Sequence, residues 1–341
     1  MQVSLAPEML LRAGERLGVR VDLEPEFRYA GRITGPDGRH HYFRNTHFDL
    51  NGEGAAETAR DKGYAAYFMA LLGYPVPEGR TFFAPAMLRW AGATRDRDRA
   101  YEYARELGFP VIVKPNNGSQ GRGVARVYTR RDLDRALAAI FARENVALVQ
   151  RPVAGDDYRI VVLDASVVCA YRRTPLSVTG DGVRSIRELL ARKHATYAES
   201  GRATTIPLGD FRIPMHLRRA RLSLDAVPAG GKVVTLMDNA NLSTGGEAQD
   251  VSADLHPKWA ILAVTLTREM GLRYCGVDII STDPIDSPPA EYVVLEINPA
   301  PGLDHFVHLG PQQTAIVARM YEQILQALIR PPEQDRHAPA P

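Results

Sequence analysis

Two apolar runs, each broken by a single acid, constrain the fold of this 341-residue chain more than any other feature. Tyr274-Cys-Gly-Val-Asp-Ile-Ile-Ser281 and Glu291-Tyr-Val-Val-Leu-Glu-Ile-Asn298 both read as β-strands, and the second runs into a tight Pro-Ala-Pro-Gly-Leu303 loop. Strand side chains alternate faces, so Val293, Leu295 and Ile297 are expected in a core while Val294, Glu296 and Asn298 share the opposite face. If the two strands are antiparallel neighbours, Asp278 converges on Glu296 and Asn298. Three oxygen donors without His or Cys describe a hard-cation site, for Mg²⁺ or Mn²⁺, of the kind that binds substrate phosphates. Read alone, the same stretch fits a buried strand whose acid pairs with an arginine.

Composition narrows the field. With 45% hydrophobic and 24% charged residues, the chain has material for two or three packed domains. Lys+Arg 42 against Asp+Glu 40 implies no general affinity for nucleic acid. There is no secretory pattern and no apolar run long enough for a membrane span, so a cytoplasmic protein is expected. Cys169 and Cys275 lie inside apolar runs and read as reduced core residues.

Taken in order, the chain predicts a helix from Pro7 to Leu17, a strand from Gly18 to Leu23 and a hairpin about Gly35-Pro-Asp-Gly38. A helix from Ala55 to Leu72 follows, with Lys62 in its first half, and another from Asp98 to Leu107. Val111-Ile-Val-Lys-Pro115 is a short buried strand ending in Lys114, and it leads at once into Asn116-Asn-Gly-Ser-Gln-Gly-Arg-Gly123. Glycines let backbone N–H groups face a ligand without obstruction, so this loop (Gly118, Ser119, Gln120, Gly121, Arg122, Gly123) can cradle phosphates. It matches neither the Walker A nor the dinucleotide fingerprint. The strand Ala147 to Val153 breaks at proline. Gln150, Arg151 and Val153 could meet an adenine edge there, with Asp157 spaced to hold ribose hydroxyls. Pro311 to Ile329 is a final helix whose apolar stripe suits core or dimer packing, and 331–341 is a proline-rich tail expected to be disordered.

These motifs, in this order, resemble an ATP-grasp ligase. The likeness is greatest to the ATP-grasp domains of cyanophycin synthetases and bifunctional glutathione synthetases. It is carried by Ala170-Tyr-Arg-Arg-Thr-Pro-Leu-Ser-Val-Thr-Gly-Asp-Gly182, Asn239-Ala-Asn-Leu-Ser-Thr-Gly-Gly246 and Ala300-Pro-Gly-Leu303, and it covers about Ala55 to His308. The resemblance implies an α/β fold of two subdomains clasping ATP, at 93–155 and 156–330, preceded by a small N-terminal α/β domain at 1–92. It implies an ATP-dependent carboxylate-amine ligase working through an acyl phosphate. Small-molecule carboxylate and amine substrates follow, as does assembly as a homodimer or larger. By position, Lys62, Lys114 and Gln150 would contact ATP, and Asp278, Glu296 and Asn298 would hold two Mg²⁺ ions. Arg159 and Arg173 would touch the acyl phosphate or substrate carboxylate; Arg172 and Arg173 face opposite ways, and Arg173 is preferred. Asn241, Ser243, Thr244 and Gly245 would offer amides and hydroxyls to the oxyanion.

Departures from the family pattern bear on substrate. Gln150 replaces the usual hinge glutamate, Met237-Asp238 stands where relatives place arginine, and Asp304 follows Gly302-Leu303 where cyanophycin synthetases have arginine. Asp304 is therefore a candidate for holding a cationic amine, and the divergent segment Arg192 to Phe211 is expected to shape substrate choice. Neither the glutamate-cysteine ligase module nor the Mur-ligase-like module of those relatives has a counterpart here, so neither full reaction cycle is expected. A phosphotransferase and a non-catalytic ATP-binding regulator are the alternative readings.

Overall fold

The computed structural model describes residues 4–91, 94–118, 121–199, 204, 206 and 208–329; the tail 331–341 lies outside them. Helix α1 (Leu5–Leu17) is followed by an antiparallel meander of β1 (Arg20–Leu23), β2 (Ala30–Thr34), β3 (His40–Arg44) and β4 (His47–Phe48). The Gly35–Gly38 turn joins β2 to β3 as predicted.

The single helix expected from Ala55 to Leu72 is two, α2 (Glu53–Arg60) and α3 (Lys62–Leu71). Asp61 leaves helical geometry at ψ 105°, and its carboxylate accepts the Tyr64 amide at 2.9 Å. A capping acid restarts the helix. Lys62 consequently stands as the first residue of α3, facing the loop after β6.

The second unit contains β5 (Gly79–Phe83), α4 (Pro85–Ala91), α5 (Arg97–Leu107), β6 (Val111–Pro115), β7 (Ala125–Val127), α6 (Arg130–Phe141) and β8 (Val146–Gln150). Its sheet has the order β5-β8-β6-β7. β5 pairs with β8 from Gly79↔Gln150 to Phe83↔Val146, so Gly79–Phe83 belongs to this sheet. Strand alternation sorts its side chains. Val111 and Val113 pack under α5 and α6, while Ile112, Lys114 and Gln150 line a cleft on the other face.

The largest sheet, in the order β13-β10-β9-β14-β15, forms the opposite side of that cleft. It comprises β9 (Asp156–Leu163), β10 (Ser166–Thr174), β13 (Glu247–Asp250), β14 (Tyr274–Ser281) and β15 (Tyr292–Asn298). Between β10 and β13 lie the ribbon strands β11 (Ser177–Thr179) and β12 (Val233–Thr235), with α7 (Ile186–Glu199) and α8 (Arg212–Arg219). Val178, Ile186, Leu190, Ile213 and Leu217 give this insertion its own core. Helix α9 (Pro257–Glu269) covers one face of the large sheet together with α2 and α3, and α1 covers the other with α11 (Pro311–Ile329). Short helix α10 (Asp304–Val307) precedes α11. Apolar residues of 1–92 pack into three core clusters: Leu10, Ile33 and Phe43 in one, Ala65 and Met69 in a second and Phe82 in a third. The α11 stripe of Met320, Ile324 and Leu328 is core packing.

The alternation expected along β15 is overturned. Asp278 pairs with Glu296 but Ile279 pairs with Val294, so Leu295 is the extra residue of a β-bulge. The bulge puts Val294 and Ile297 together in the core, at 0% and 1% exposure, and turns Leu295 with Glu296 toward the cleft. Cys169 and Cys275 are buried free thiols, as predicted. Burial pushes both up, Cys275 to about 12, so neither is a nucleophile at neutral pH. Among the described residues, no helix is long and apolar enough to cross a membrane.

Candidate active site

Cross-strand register builds the large-sheet wall. Arg159 on β9 lies opposite Asp278 on β14, Asp278 lies opposite Glu296 on β15, and Arg173 on β10 lies opposite Asp157 on β9. Arg159 forks onto Asp278, with Nε to Oδ1 and Nη2 to Oδ2 both at 2.6 Å. Arg173 Nη2 adds a bond to Asp278 Oδ2 at 2.9 Å and one to Asp157 Oδ1 at 2.6 Å. Arg173 is 8% exposed inside the network, whereas Arg172 turns outward to Asp156 and Gln249. Gly276 leaves room for the network, since a Cβ there would sit 3.2 Å from Pro301 Cβ and 3.3 Å from Arg159 Cδ and would push on that side chain.

Burial pushes Asp157 up to about 6 against the pull of Arg173. Burial also raises Glu296, but Lys62, Lys114, Arg159 and Arg173 outweigh it and hold that carboxyl well below the usual range. Among the described residues Glu296 receives ion contacts, from Lys62 at 3.4 Å and Arg159 at 3.9 Å, and no hydrogen bond.

Lys114 projects from β6 on the facing wall, 4% exposed. Desolvation lowers it to about 8, with Lys62 pushing the same way and Glu296 opposing. Lys62 Nζ donates to Gly118 O at 2.6 Å, and Asn116 fixes the start of α3 by accepting the Gly63 amide at 2.9 Å. Gln150 is buried at the end of β8. Arg151 lines the cleft, but its guanidinium is committed to Glu78 and to Leu107 O.

A third wall comes from the 3₁₀ turn Leu242–Thr244 and from the loop after β15. Here the expected donors are largely spent. The Ser243 amide bonds Asn241 Oδ1, the Gly245 amide bonds Leu242 O, and the Gly246 amide and Thr244 hydroxyl bond Asn241 O. Thr244 and Gly245 do not line the cleft; Asn241 and Ser243 do, and the Ser243 hydroxyl lies 3.2 Å from His305 Nε2. Gly302 and Asp304 line the same wall, and burial raises the Asp304 carboxyl. Gly118, Gly121, Arg122 and Val153 also face the cleft, whereas Gly123 packs against Pro115. Ser119 and Gln120 lie outside the described residues. Described residues of the helix over 192–199 are absent from the cleft, so that part of the expected specificity segment does not reach it.

Several residues that hold the site carry no local signal. Asn51 ties Tyr274 O to Pro299 O, at 2.7 and 2.8 Å, and Thr46 bonds Ala300 O at 3.0 Å. The N-terminal segment thereby fixes the loop after β15 against the start of β14. Asp238 and Asn239, read above only as parts of the family pattern, also line the cleft, as does His305.

Among the described residues, no group of three His, Cys, Asp or Glu side chains could hold a metal. The available set is two carboxylates and one carboxamide. Glu296 accepts no hydrogen bond, Asn298 Oδ1 accepts one from the Ala300 amide at 3.0 Å, and three of the roughly four acceptor positions of Asp278 are filled. Such a set fits a hard divalent cation that also draws oxygens from phosphate.

Two family profiles match the chain. One, D-ala D-ala ligase C-terminus, matches residues 81–178, and the other, RimK-like ATP-grasp domain, matches residues 233–324. A cyanophycin synthetase of Trichormus variabilis is 30% identical over 98% of this chain and 36% of its own length. A glutathione biosynthesis bifunctional protein of Mannheimia succiniciproducens is 32% identical over 71% of this chain and 32% of its own length. The chain thus spans about a third of these curated relatives. Among solved structures, a bifunctional glutathione synthetase from Pasteurella multocida gives a TM-score of 0.57 at 23% identity, covering 94% of this chain and 44% of that one. A D-alanine–D-alanine ligase from Bacillus anthracis gives 0.50 at 14% identity, covering 82% and 69%. At these identities structural likeness speaks to fold alone, and in fold it agrees with both profiles and with the two-walled cleft: the chain belongs to the ATP-grasp superfamily.

Proposed function

We propose that this chain is an ADP-forming carboxylate-amine ligase acting on a small amino-acid-like substrate. ATP phosphorylates a substrate carboxylate, an amine attacks the acyl phosphate, and an amide, ADP and phosphate are released. The observation that carries this reading is the meeting, in one cleft, of Lys62, Lys114, Arg159 and Arg173 with Asp278, Glu296 and Asn298. Four cations around a set of oxygen donors suit a polyphosphate more than any neutral ligand.

In this reading Lys62 and Lys114 hold the transferring phosphates, Gln150 meets the adenine edge, and the second oxygen of Asp157 takes a ribose hydroxyl. Asp278, Glu296 and Asn298 would hold two Mg²⁺ ions, or Mn²⁺, which supply charge neutralisation at the phosphates. Arg159 and Arg173 orient the carboxylate being activated, while the Asn241 carboxamide and Ser243 hydroxyl replace the spent amides as oxyanion donors. Asp304 receives the ammonium of a cationic amine. Work in the cytoplasm belongs to the same reading. So does assembly from two or more copies, supported by an outward stripe on α3 where Tyr64, Tyr67 and Leu71 are 65%, 62% and 69% exposed.

The test is ADP release with Mg²⁺-ATP across a grid of carboxylates and amines, followed by mass spectrometry. ADP that needs both partners, with a product lighter than their sum by one water, supports the ligase. ADP with the acid alone favours a phosphotransferase, and binding without turnover favours a regulator. Once a cationic amine is identified, Asp304→Asn should raise its KM about tenfold or more, since hydrogen bonds to charged groups contribute roughly 1.5–3 kcal/mol. An unchanged amine KM removes Asp304 from the site.

A further inference from the structure

We infer that Arg212 is a positioning residue that sets the Gly121–Val124 end of the glycine-rich loop for phosphate binding; the inference rests on the nucleotide reading above. Arg212 opens α8, in the insertion between β11 and β12, and is 8% exposed. Asp210 takes its Nε at 3.0 Å and its Nη2 at 2.6 Å, and also accepts its backbone amide at 2.9 Å. The free end of the guanidinium, Nη1, donates to Gly121 O at 3.1 Å and to Val124 O at 2.7 Å. A buried arginine is costly unless its charge is paired and its donors are met. Asp210 neutralises this one locally, so its effect on the loop is one of geometry and not of long-range field.

The geometry has a definite sense. In a trans peptide the C=O and the following N–H point opposite ways. Drawing the Gly121 carbonyl toward Arg212 therefore turns the Arg122 N–H away from Arg212. Gly121 holds φ +64°, and a Cβ there would lie 2.4 Å from Asn239 Nδ2 and 2.8 Å from Asn241 Cβ. The backbone at Gly121 is pressed between the Arg212 clamp and the Asn239–Asn241 wall, and Gly121, Arg122 and Val124 all line the cleft. The Val124 amide is taken by Gly121 O at 3.4 Å, so it is the Arg122 amide that this arrangement leaves to an anion inside. Two more contacts seat this segment on the glycine-loop unit: the Arg135 guanidinium lies 4.4 Å from the Phe211 ring centroid, and Arg219 stacks on Tyr128.

Calorimetry with Mg²⁺ and AMP, ADP or a non-hydrolysable ATP analogue tests the assignment. Arg212→Ala should weaken ADP and the ATP analogue about tenfold, the equivalent of about 1.4 kcal/mol, and AMP by less than about twofold. Arg212→Lys should recover part of the loss, as should added guanidinium ion at non-denaturing concentration. In turnover, KM for ATP should rise while KM for the amine stays put. Equal affinities for all three nucleotides in Arg212→Ala and wild type overturn the inference, as does a uniform loss that follows a fall in Tm. If Arg212→Ala fails to fold, Arg212→Lys and Asp210→Asn decide by the same comparison of AMP with ADP. Wild-type protein that binds no adenine nucleotide sinks the nucleotide reading itself, whereas wild-type binding with unaffected variants sinks only the role of Arg212.

Discussion

The two long walls of the cleft both bury cations, and they hold them in opposite ways. On the large sheet, Arg159 and Arg173 are tied to Asp278 and Asp157 by bonds of 2.6–2.9 Å. On the facing wall Lys114 has no ion pair among the described residues, and Lys62, which opens α3 and reaches that wall through Gly118 O at 2.6 Å, meets Glu296 at 3.4 Å. The residue types match the roles. A guanidinium keeps its charge and fits a carboxylate as a fork, whereas a desolvated ammonium gives up its proton. One wall is neutralised before any ligand arrives; the other is left with positive charge that a polyphosphate would satisfy.

The sharpest way to break this comparison is at Glu296, the acid between the walls. Glu296→Gln keeps the size and polarity but removes the charge that a metal and Lys62 would use. Metal ions supply several kcal/mol of transition-state stabilisation, so ADP formation should fall at least about a thousandfold. Folding should hold, because among the described residues Glu296 accepts no hydrogen bond, and its side chain is 26% exposed. Activity within tenfold of wild type in a steady-state assay would remove Glu296 from the chemistry.

Stability separates the walls next. Arg173→Met strips one partner from both Asp157 and Asp278, and breaking a buried ion network typically costs about 3–5 kcal/mol. Its neighbour Arg172 has a 37% exposed side chain, and Arg172→Met should cost no more than about 1 kcal/mol. Urea unfolding of the pair measures the contrast. Similar midpoints would mean that the buried network contributes little to folding.

How much of this was legible depends on the distance over which a residue acts. Strands β6, β14 and β15 follow from short apolar runs, and Asp278 facing Glu296 follows from antiparallel pairing. The Leu295 bulge does not, because nothing in the run says which residue the partner strand skips. The break at Asp61 carried a signal, an acid three residues before Tyr64, but alanine-rich flanks of good helix propensity masked it. Arg212 meets the glycine loop across sequence separations of 91 and 88 residues, and Asn51 reaches Tyr274 and Pro299 across more than twice that. Such contacts belong to tertiary structure alone. The polar loop at Asn241–Gly246 was recognisable as a motif, yet its amides turned out to be bonded within the turn, which residue type cannot reveal.

The smallest expected effect is the one that tests the electrical difference between the walls most directly. Lys114 in the folded chain titrates at about 8, below its ordinary 10.5. Between those values an unfolded chain binds more protons than the folded one, so stability should rise with pH from about 8 to 10.5, and the cost of burying the charged lysine is fully present below 8. Affinity for Mg²⁺-ADP should move the other way. As Lys114 loses its charge above about 8 the dissociation constant should grow, by at most about tenfold per pH unit. Arg173, which stays charged throughout, offers no such dependence. Calorimetry at pH 7, 8 and 9 on wild type and Lys114→Arg isolates the effect, since arginine does not titrate in this range. A wild-type profile that the Lys114→Arg protein reproduces would assign the pH dependence elsewhere and leave the two walls electrically alike.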